Sequence, residues 1–413
     1  MKTSLRSVLC SGLISLFVLS PPAIAAKAVL KTAAKAVVES KAQKTAQLIK
    51  IVYFTQEQAV PAALSNLDAF IANKGLPGAQ LAIDDNNTTG QFLQQNYRLE
   101  TIIVPLKANL VQAFQKISAD TAFVLVNLPA QALNQLADLP QAQQKLLLDV
   151  ATTDDALRNA QCRANVLHLL PSRAMRADAL AQFMMKNRWT NWFLVIGATP
   201  EDNFYAQAIK RAAKRFGMKI VAEKRWQHTF DTRGTEQAAV RVFTQGVDYD
   251  VLVVADEQGL FGEYFDYRTW IPRPVIGTQG LIATAWHKTH EQWGAIQIQN
   301  RFLAQAGRKM EEQDYGAYLA VRALGEAAVR THSNQLATIK HYLLSPQFAL
   351  QGYKGTPLSF RPWNGQLRQP VLLAAPRSLV AVAPIEGFLH QQTELDTLGF
   401  DKPDSHCRAV FSR

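Results

Sequence analysis

Among the residues that could do chemistry in this 413-residue chain, the nearest to a metal site is His287 with His290, in AWHKTHEQW, a spacing that puts two imidazoles on one face of a helix. A third ligand at useful spacing is missing, so the pair reads as two solvated histidines. Asp84 with Asp85, and Asp154 with Asp155, are adjacent acids whose side chains diverge on a helix or a strand. They read as capping or surface carboxylates, not as a general acid and base held over one bond. The sequence has no GxSxG elbow, no Walker loop, no HExxH and no GxGxxG after its first strand. A nucleophile, a phosphate cradle and a metal-bound water all lack a carrier, so no catalytic residue, metal or cofactor is assigned and the chain is not read as an enzyme. What the residues do offer is a hydrogen-bonding set: Gln56, Asn127, Thr152, Thr153, Tyr205, Asp256, Glu257 and Gln279. Such a set grips a small molecule without transforming it.

These residues share a place because of the elements that carry them. From Ile49 onward, short apolar runs rich in β-branched residues alternate with stretches of helical period: IKIVYF, GAQLAIDDNN, LETIIV, NLVQAFQKI, AFVLVN and KLLLDV, with a Gln- and Leu-rich helix before the last. Strands that are apolar throughout must be covered on both faces, which predicts a parallel sheet with helices on each side. A second series follows in WFLVIG, NFYAQAIKRAAKRFG, KIVAEKRW, TEQAAVRVFTQG and DVLVVAD; in its first helix Phe204, Ala208, Ile209, Ala212 and Phe216 share a face, and Gly217 stands where a left-handed cap ends it. The fold class is therefore α/β, with two doubly wound parallel-sheet lobes. In such sheets a ligand sits beyond the carboxyl ends of the strands, and the eight residues above lie in those loops.

The division expected is a leader over 1–25, a linker over 26–47, a first lobe over 48–168 and 282–366, a second over 169–281 and 367–395, and a tail over 396–413. Crossings are expected near Pro171 and near Gly277, where apolar strands end in turn residues. Lys2 and Arg6 precede an apolar run from Val8 to Leu19, then Pro21, Pro22 and Ala23-Ile24-Ala25, the layout of a cleavable export signal. Cys10 is not a lipidation site, since Leu9 stands before it where a small residue is needed. The stretch 26–47 is rich in Ala and Lys without an aromatic residue, a solvated tether. More than half of the formal net charge of +11 sits in these first 47 residues, so the remainder carries no nucleic-acid footprint. Cleavage leaves Cys162 and Cys407, an even pair in an oxidising compartment, for which a disulfide is expected against the alternative of two unrelated buried thiols.

Longer strings carry a resemblance. GAQLAIDDNN resembles the first helix of periplasmic binding proteins of the branched-chain amino-acid type, WFLVIGATPEDNFYAQAIKRAAKRFGMKIV resembles the start of their second lobe, and Tyr315 to Arg361 resembles their late helices. TTDDALRNAQCRANVLHLLPSRAMRADALAQF, FRPWNGQLRQPVLLA and ELDTLGFDKPDSHC are similar to one subgroup, the ABC-transporter substrate-binding proteins that accompany PQQ-dependent alcohol dehydrogenase systems. The resemblance implies a type I periplasmic binding protein fold, two lobes joined by hinge strands, a small-molecule ligand between them and an ABC permease as partner. A periplasmic sensor or accessory protein of alcohol oxidation without a transport role is the alternative. Thr152 and Thr153 match one of the places where amino-acid binders hold the ligand carboxylate, and Asp256 or Glu257 matches the acid that receives the amine. Asn127-Leu128-Pro129-Ala130 lacks the serines expected at the other place, which argues against an amino-acid ligand.

Overall fold

The computed structural model describes residues 46–60, 70–227 and 233–408, with the backbone alone over 233–238. The expected leader, and the linker up to residue 45, lie outside the described residues; Gln47 already belongs to the first strand.

In the first sheet, β1 (Gln47–Gln56), β2 (Gln95–Val104), β3 (Phe123–Asn127), β4 (Leu146–Asp149) and β5 (Val166–His168) run parallel in the order β2-β1-β3-β4-β5. The inner strands are apolar on both faces because both are covered. Val52, Phe54, Val124, Val126 and Leu147 pack toward α2 (Leu110–Gln115) and α3 (Ala130–Ala137), and Ile49, Ile51, Tyr53, Leu125 and Leu148 pack on the other face with α1 (Leu76–Leu93).

The second sheet takes β6 (Asn191–Ile196), β7 (Lys219–Arg225), β8 (Val251–Ala255), β9 (Val275–Gly277) and β10 (Leu281–Thr284) in parallel, with α4 (Arg173–Lys186) before them and α5 (Pro200–Arg215) and α6 (Arg233–Thr244) between them. The start of α5 is written locally. Thr199 and Asp202 form a capping box, Pro200 fills the first turn, and Gly217 at φ 69° follows the end. The chain leaves this sheet after Thr284, one strand beyond Gly277. The helices α7 (Ala295–Ala306), α8 (Glu312–Thr331) and α9 (Leu336–Leu343) then return to the first core. At Gly78, α1 and α8 touch so closely that a Cβ would stand 1.9 Å from the Asp314 carbonyl oxygen. The hairpin β11 (Ser359–Phe360) and β12 (Leu367–Arg368) precedes the last passage into the second sheet, which β13 (Val371–Ala375) and β14 (Ser378–Ala383) extend in antiparallel fashion to the order β14-β13-β10-β9-β8-β6-β7.

The final segment is docked. Leu398 enters the second core, Gly399 N donates to Asp178 at 2.8 Å, and buried Asp396 pairs with Arg361 at 2.7 Å and Arg368 at 2.9 Å. Beyond it, Cys407 is disulfide-bonded to Cys162, with Cα atoms 5.5 Å apart, as the cysteine count led us to expect.

Candidate functional site

The carboxyl end of β4 is organised by a buried ion network. Asp149 is fully buried and accepts from Thr152 N at 2.9 Å, from Thr152 Oγ1 at 2.5 Å and from His168 at 2.7 Å. Burial alone would raise its carboxyl, but the His168 hydrogen bond, the Arg158 charge and the Thr152 hydroxyl together hold it below the usual range. His168 shows the converse. Burial first, and then the Arg158 charge, press its imidazole down to about 4, against the pull of Asp149. Arg158 donates to Thr152 Oγ1 at 2.9 Å, Thr152 O at 2.7 Å, Asp154 O at 2.9 Å and Gln366 Oε1 at 2.9 Å, so it holds the whole turn 152–154. The Thr152 hydroxyl is thereby occupied on both sides, whereas the Thr153 hydroxyl has no partner among the described residues, and its carbonyl accepts from Arg173 N at 2.8 Å.

From the second sheet comes the opposing wall. Asp256 does not present a free carboxylate: it accepts the N–H groups of Leu260, Phe261 and Gly262 at 2.9, 2.8 and 2.7 Å and so builds the turn after β8. Glu257 accepts from Arg173 Nε at 2.9 Å and Nη2 at 2.6 Å, while Arg173 Nη1 reaches Asp154 Oδ2 at 3.3 Å. One arginine, at the first turn of α4 and just after the first crossing, thus joins the loop that follows β4 to the loop that follows β8. Its guanidinium stands 5.7 Å from the centre of the Phe204 ring, which is 46% exposed. Next to it Tyr205 is only 3% exposed, burial raises its phenol, and its hydroxyl makes no hydrogen bond among the described residues.

The other expected contacts are scattered more widely. Gln56 donates to Pro105 O at 3.4 Å and Leu106 O at 3.1 Å, and Asn127 donates to Tyr53 Oη at 2.8 Å and Lys74 O at 2.9 Å, so each ties its strand end to a neighbouring segment. The Gln279 side chain lines a polar groove of about 370 Å³ that includes Asp266, Thr278 and His287. A more apolar groove of about 490 Å³ between α8 and α9, lined by Thr331 and Tyr342, lies at the opposite end of the strands. Thr153 and Glu257 do come together, around Arg173, Asp154 and Phe204, which the sequence reading did not select, while Tyr205 packs into the second core. Asp154 is no surface acid, and Asp85 ties α1 to Tyr318 of α8 at 2.8 Å. His290 is a correction too. It is 1% exposed, sits in a turn and bonds Tyr353 O at 2.6 Å, because the tight turn after β10 folds it under Trp286. Among the described residues no three His, Cys, Asp or Glu side chains converge on a metal position, and no helix is long and apolar enough to cross a membrane.

A parallel and a mostly parallel sheet whose strand-end loops are joined by Arg173, passed between three times by one chain, decide the architecture. The fold is that of a type I periplasmic binding protein. Residues 59–262, just under half of the chain, match the family model described as a periplasmic binding protein. A periplasmic binding protein from Burkholderia mallei superposes with a TM-score of 0.63 at 14% identity, covering 88% of this chain and 99% of that one. A branched-chain amino acid ABC transporter periplasmic ligand-binding protein from Burkholderia xenovorans gives 0.64 at 17% identity, over 81% and 95%. The solute-binding protein of an ABC transporter from R. palustris, in complex with benzoate, gives 0.59 at 9% identity, over 87% and 99%. No curated protein matches the chain in sequence. In this fold the Arg173 bridge stands where the two lobes face one another.

Proposed function

We propose that this chain is a solute-binding protein of an ABC transporter, which closes its two lobes on one small molecule and performs no chemistry. The observation that carries the reading is the Arg173 bridge between the loop after β4 and the loop after β8, with the Tyr205 hydroxyl of the second lobe left without a partner among the described residues. A hydroxyl without a protein partner on an otherwise buried ring is free to bond a ligand atom. Thr153 supplies the second hydroxyl, Phe204 an apolar face, and Glu257 holds Arg173. Asp256 and Thr152 shape the two loops; Asn127 and Gln56 brace the first lobe's rim, and Gln279 lines a separate groove. Export to the periplasm follows from the leader, an inner-membrane permease is the partner implied, and the resemblance of the stretches around Cys162 and Cys407 points to service beside PQQ-dependent alcohol oxidation. Closure is a population shift: ligand binds the closed form better and holds it.

Native mass spectrometry of protein expressed in the periplasm tests this. The expected result is a mass excess released on unfolding and diminished in a Thr153→Ala, Tyr205→Phe variant. Wild-type protein that carries no small molecule, and whose melting is indifferent to a metabolite extract, would refute the reading.

A further inference from the structure

The segment that follows β14 grips both lobes. Arg361, next to Phe360 of the first core, donates to Asp396 Oδ1 at 2.7 Å and to Leu398 O at 2.7 Å, and Arg368 adds a bond to Asp396 at 2.9 Å. Between these contacts the same segment binds the second lobe. Thr397 Oγ1 accepts from Gln182 at 2.9 Å, Gly399 N donates to Asp178 at 2.8 Å, and Gly399 O accepts from Arg211 at 2.8 Å and from Arg215 at 2.9 Å. Further on the chain returns to the first lobe, where Cys407 is bonded to Cys162 and both pack against the first core. We propose that residues 394–407 are a redox-controlled clamp on lobe movement, a fourth connection beside the three strand passages, which stays seated while the disulfide is closed and leaves the junction when a dithiol reduces it. The inference rests on the lobe movement of the solute-receptor reading and adds a limit to it.

Burial is what lets the segment restrain the lobes. A rotation that parts them must pull it off one side. Leaving the first lobe takes wholly buried Asp396 from Arg361 and Arg368, and leaving the second draws Leu398 out of its core and breaks the three bonds of Gly399. The disulfide adds a restraint through chain statistics. Once undocked, the stretch from Glu394 to Cys407 is a closed loop of about 13 positions while the bond is intact, and closing a loop of n residues costs about (3/2)RT ln n, so the bond suppresses undocking by roughly 50-fold. A reductant can reach it, because both cysteines are only half-buried and Lys402, Pro403 and Asp404 before Cys407 are exposed. Reduction takes two electrons and two protons from a dithiol, which leaves as a disulfide, and yields thiols at Cys162 and Cys407.

Hydrogen exchange read by mass spectrometry tests the clamp in three forms of the mature protein: with the bond closed, after reduction by dithiothreitol, and as the Cys162→Ser, Cys407→Ser variant. Peptides over 394–400 should exchange roughly 50-fold faster in the two open forms, while β1 and β3 keep their protection and so report that the body is folded. Lobe separation is followed in parallel by energy transfer between dyes clicked to p-azidophenylalanine at exposed Lys107, after β2, and exposed Gln258, after β8. Transfer should fall when the bond opens and recover on reoxidation of the wild type alone. Equal exchange over 394–400 in all three forms would overturn the clamp, since the segment would then hold itself. Loosening of β1 and β3 in step with it would overturn it too, by making the bond a staple of the whole fold. A freed segment with unchanged transfer would overturn the limit on lobe movement; no ligand enters this assay, so that result leaves the solute-receptor reading to its own test.

Discussion

Acid should loosen the cleft through His168. Its imidazole lies at about 4 in the folded protein against 6.5 as the ordinary value, so the unfolded chain takes up a proton first as the pH falls. The contribution is complete above pH 6.5 and is lost progressively between 6.5 and 4. At pH 5 the unfolded imidazole is almost fully protonated and the folded one about a tenth so, which amounts to about 2 kcal/mol of lost stability relative to pH 7. A protonated His168 would also compete with Arg158 for Asp149, the carboxylate that fixes Thr152 and, through Arg158, the turn up to Asp154. Urea unfolding at pH 7 and pH 5, for wild type and His168→Gln, isolates the effect as a difference of differences. The variant starts less stable but should lose about 2 kcal/mol less on acidification than wild type does. Equal losses in the two proteins would show that His168 does not titrate as its burial requires, and the explanation of the turn would fail with it.

Replacing Cys162 and Cys407 by Ser should lower stability by up to about 5 kcal/mol, since the bond spans 245 positions and restricts the unfolded chain; chemical unfolding checks it, and thiol titration of the unfolded, unreduced wild type should find none free. Asp256→Asn should cost about 1–3 kcal/mol, because a neutral amide cannot satisfy the three N–H groups of Leu260, Phe261 and Gly262; unchanged melting would show the turn to be self-supporting.

The parallel strands and the cover on both faces were legible because IKIVYF, AFVLVN and KLLLDV are apolar at consecutive positions, which only a doubly covered strand tolerates. The end of α5 was legible in Gly217. The point of the second crossing was not: Gly277 has a positive φ of 114° and looks like an exit, yet a few residues later the chain re-enters the sheet as β10. At the site, the loops were legible and their internal bonding was not. Arg173 finds its carboxylates 19 and 84 positions away, a separation without local signature, and an Asp that closes a turn reads in sequence like one that awaits a ligand. The remaining hint was Pro171-Ser172 before Arg173, which marks a helix starting at the junction itself.

Why so many polar side chains are buried at this junction follows from the backbone. A strand that leaves one sheet for another loses its ladder partners over the passage, and its buried carbonyls and amides must find donors and acceptors elsewhere. Here side chains supply them. Leu169 O accepts from Gln369 at 2.5 Å, Leu170 O from Gln366 at 3.0 Å and Pro171 O from Arg176 at 3.2 Å on the first passage. On the second, Glu312 accepts from Ala285 N at 3.1 Å and Thr284 Oγ1 at 2.8 Å, and on the third Lys354 donates to Pro370 O at 2.8 Å. These bonds also link the passages to each other, since Gln369 lies on the third and its donor reaches the first, while Arg176 of the second lobe pairs with Glu312 of the first. Apolar packing alone is non-directional and would let the lobes settle at many angles. A junction made of hydrogen bonds has few geometries that satisfy all its groups, so it specifies where the loop bearing Thr153 stands opposite the loop bearing Glu257.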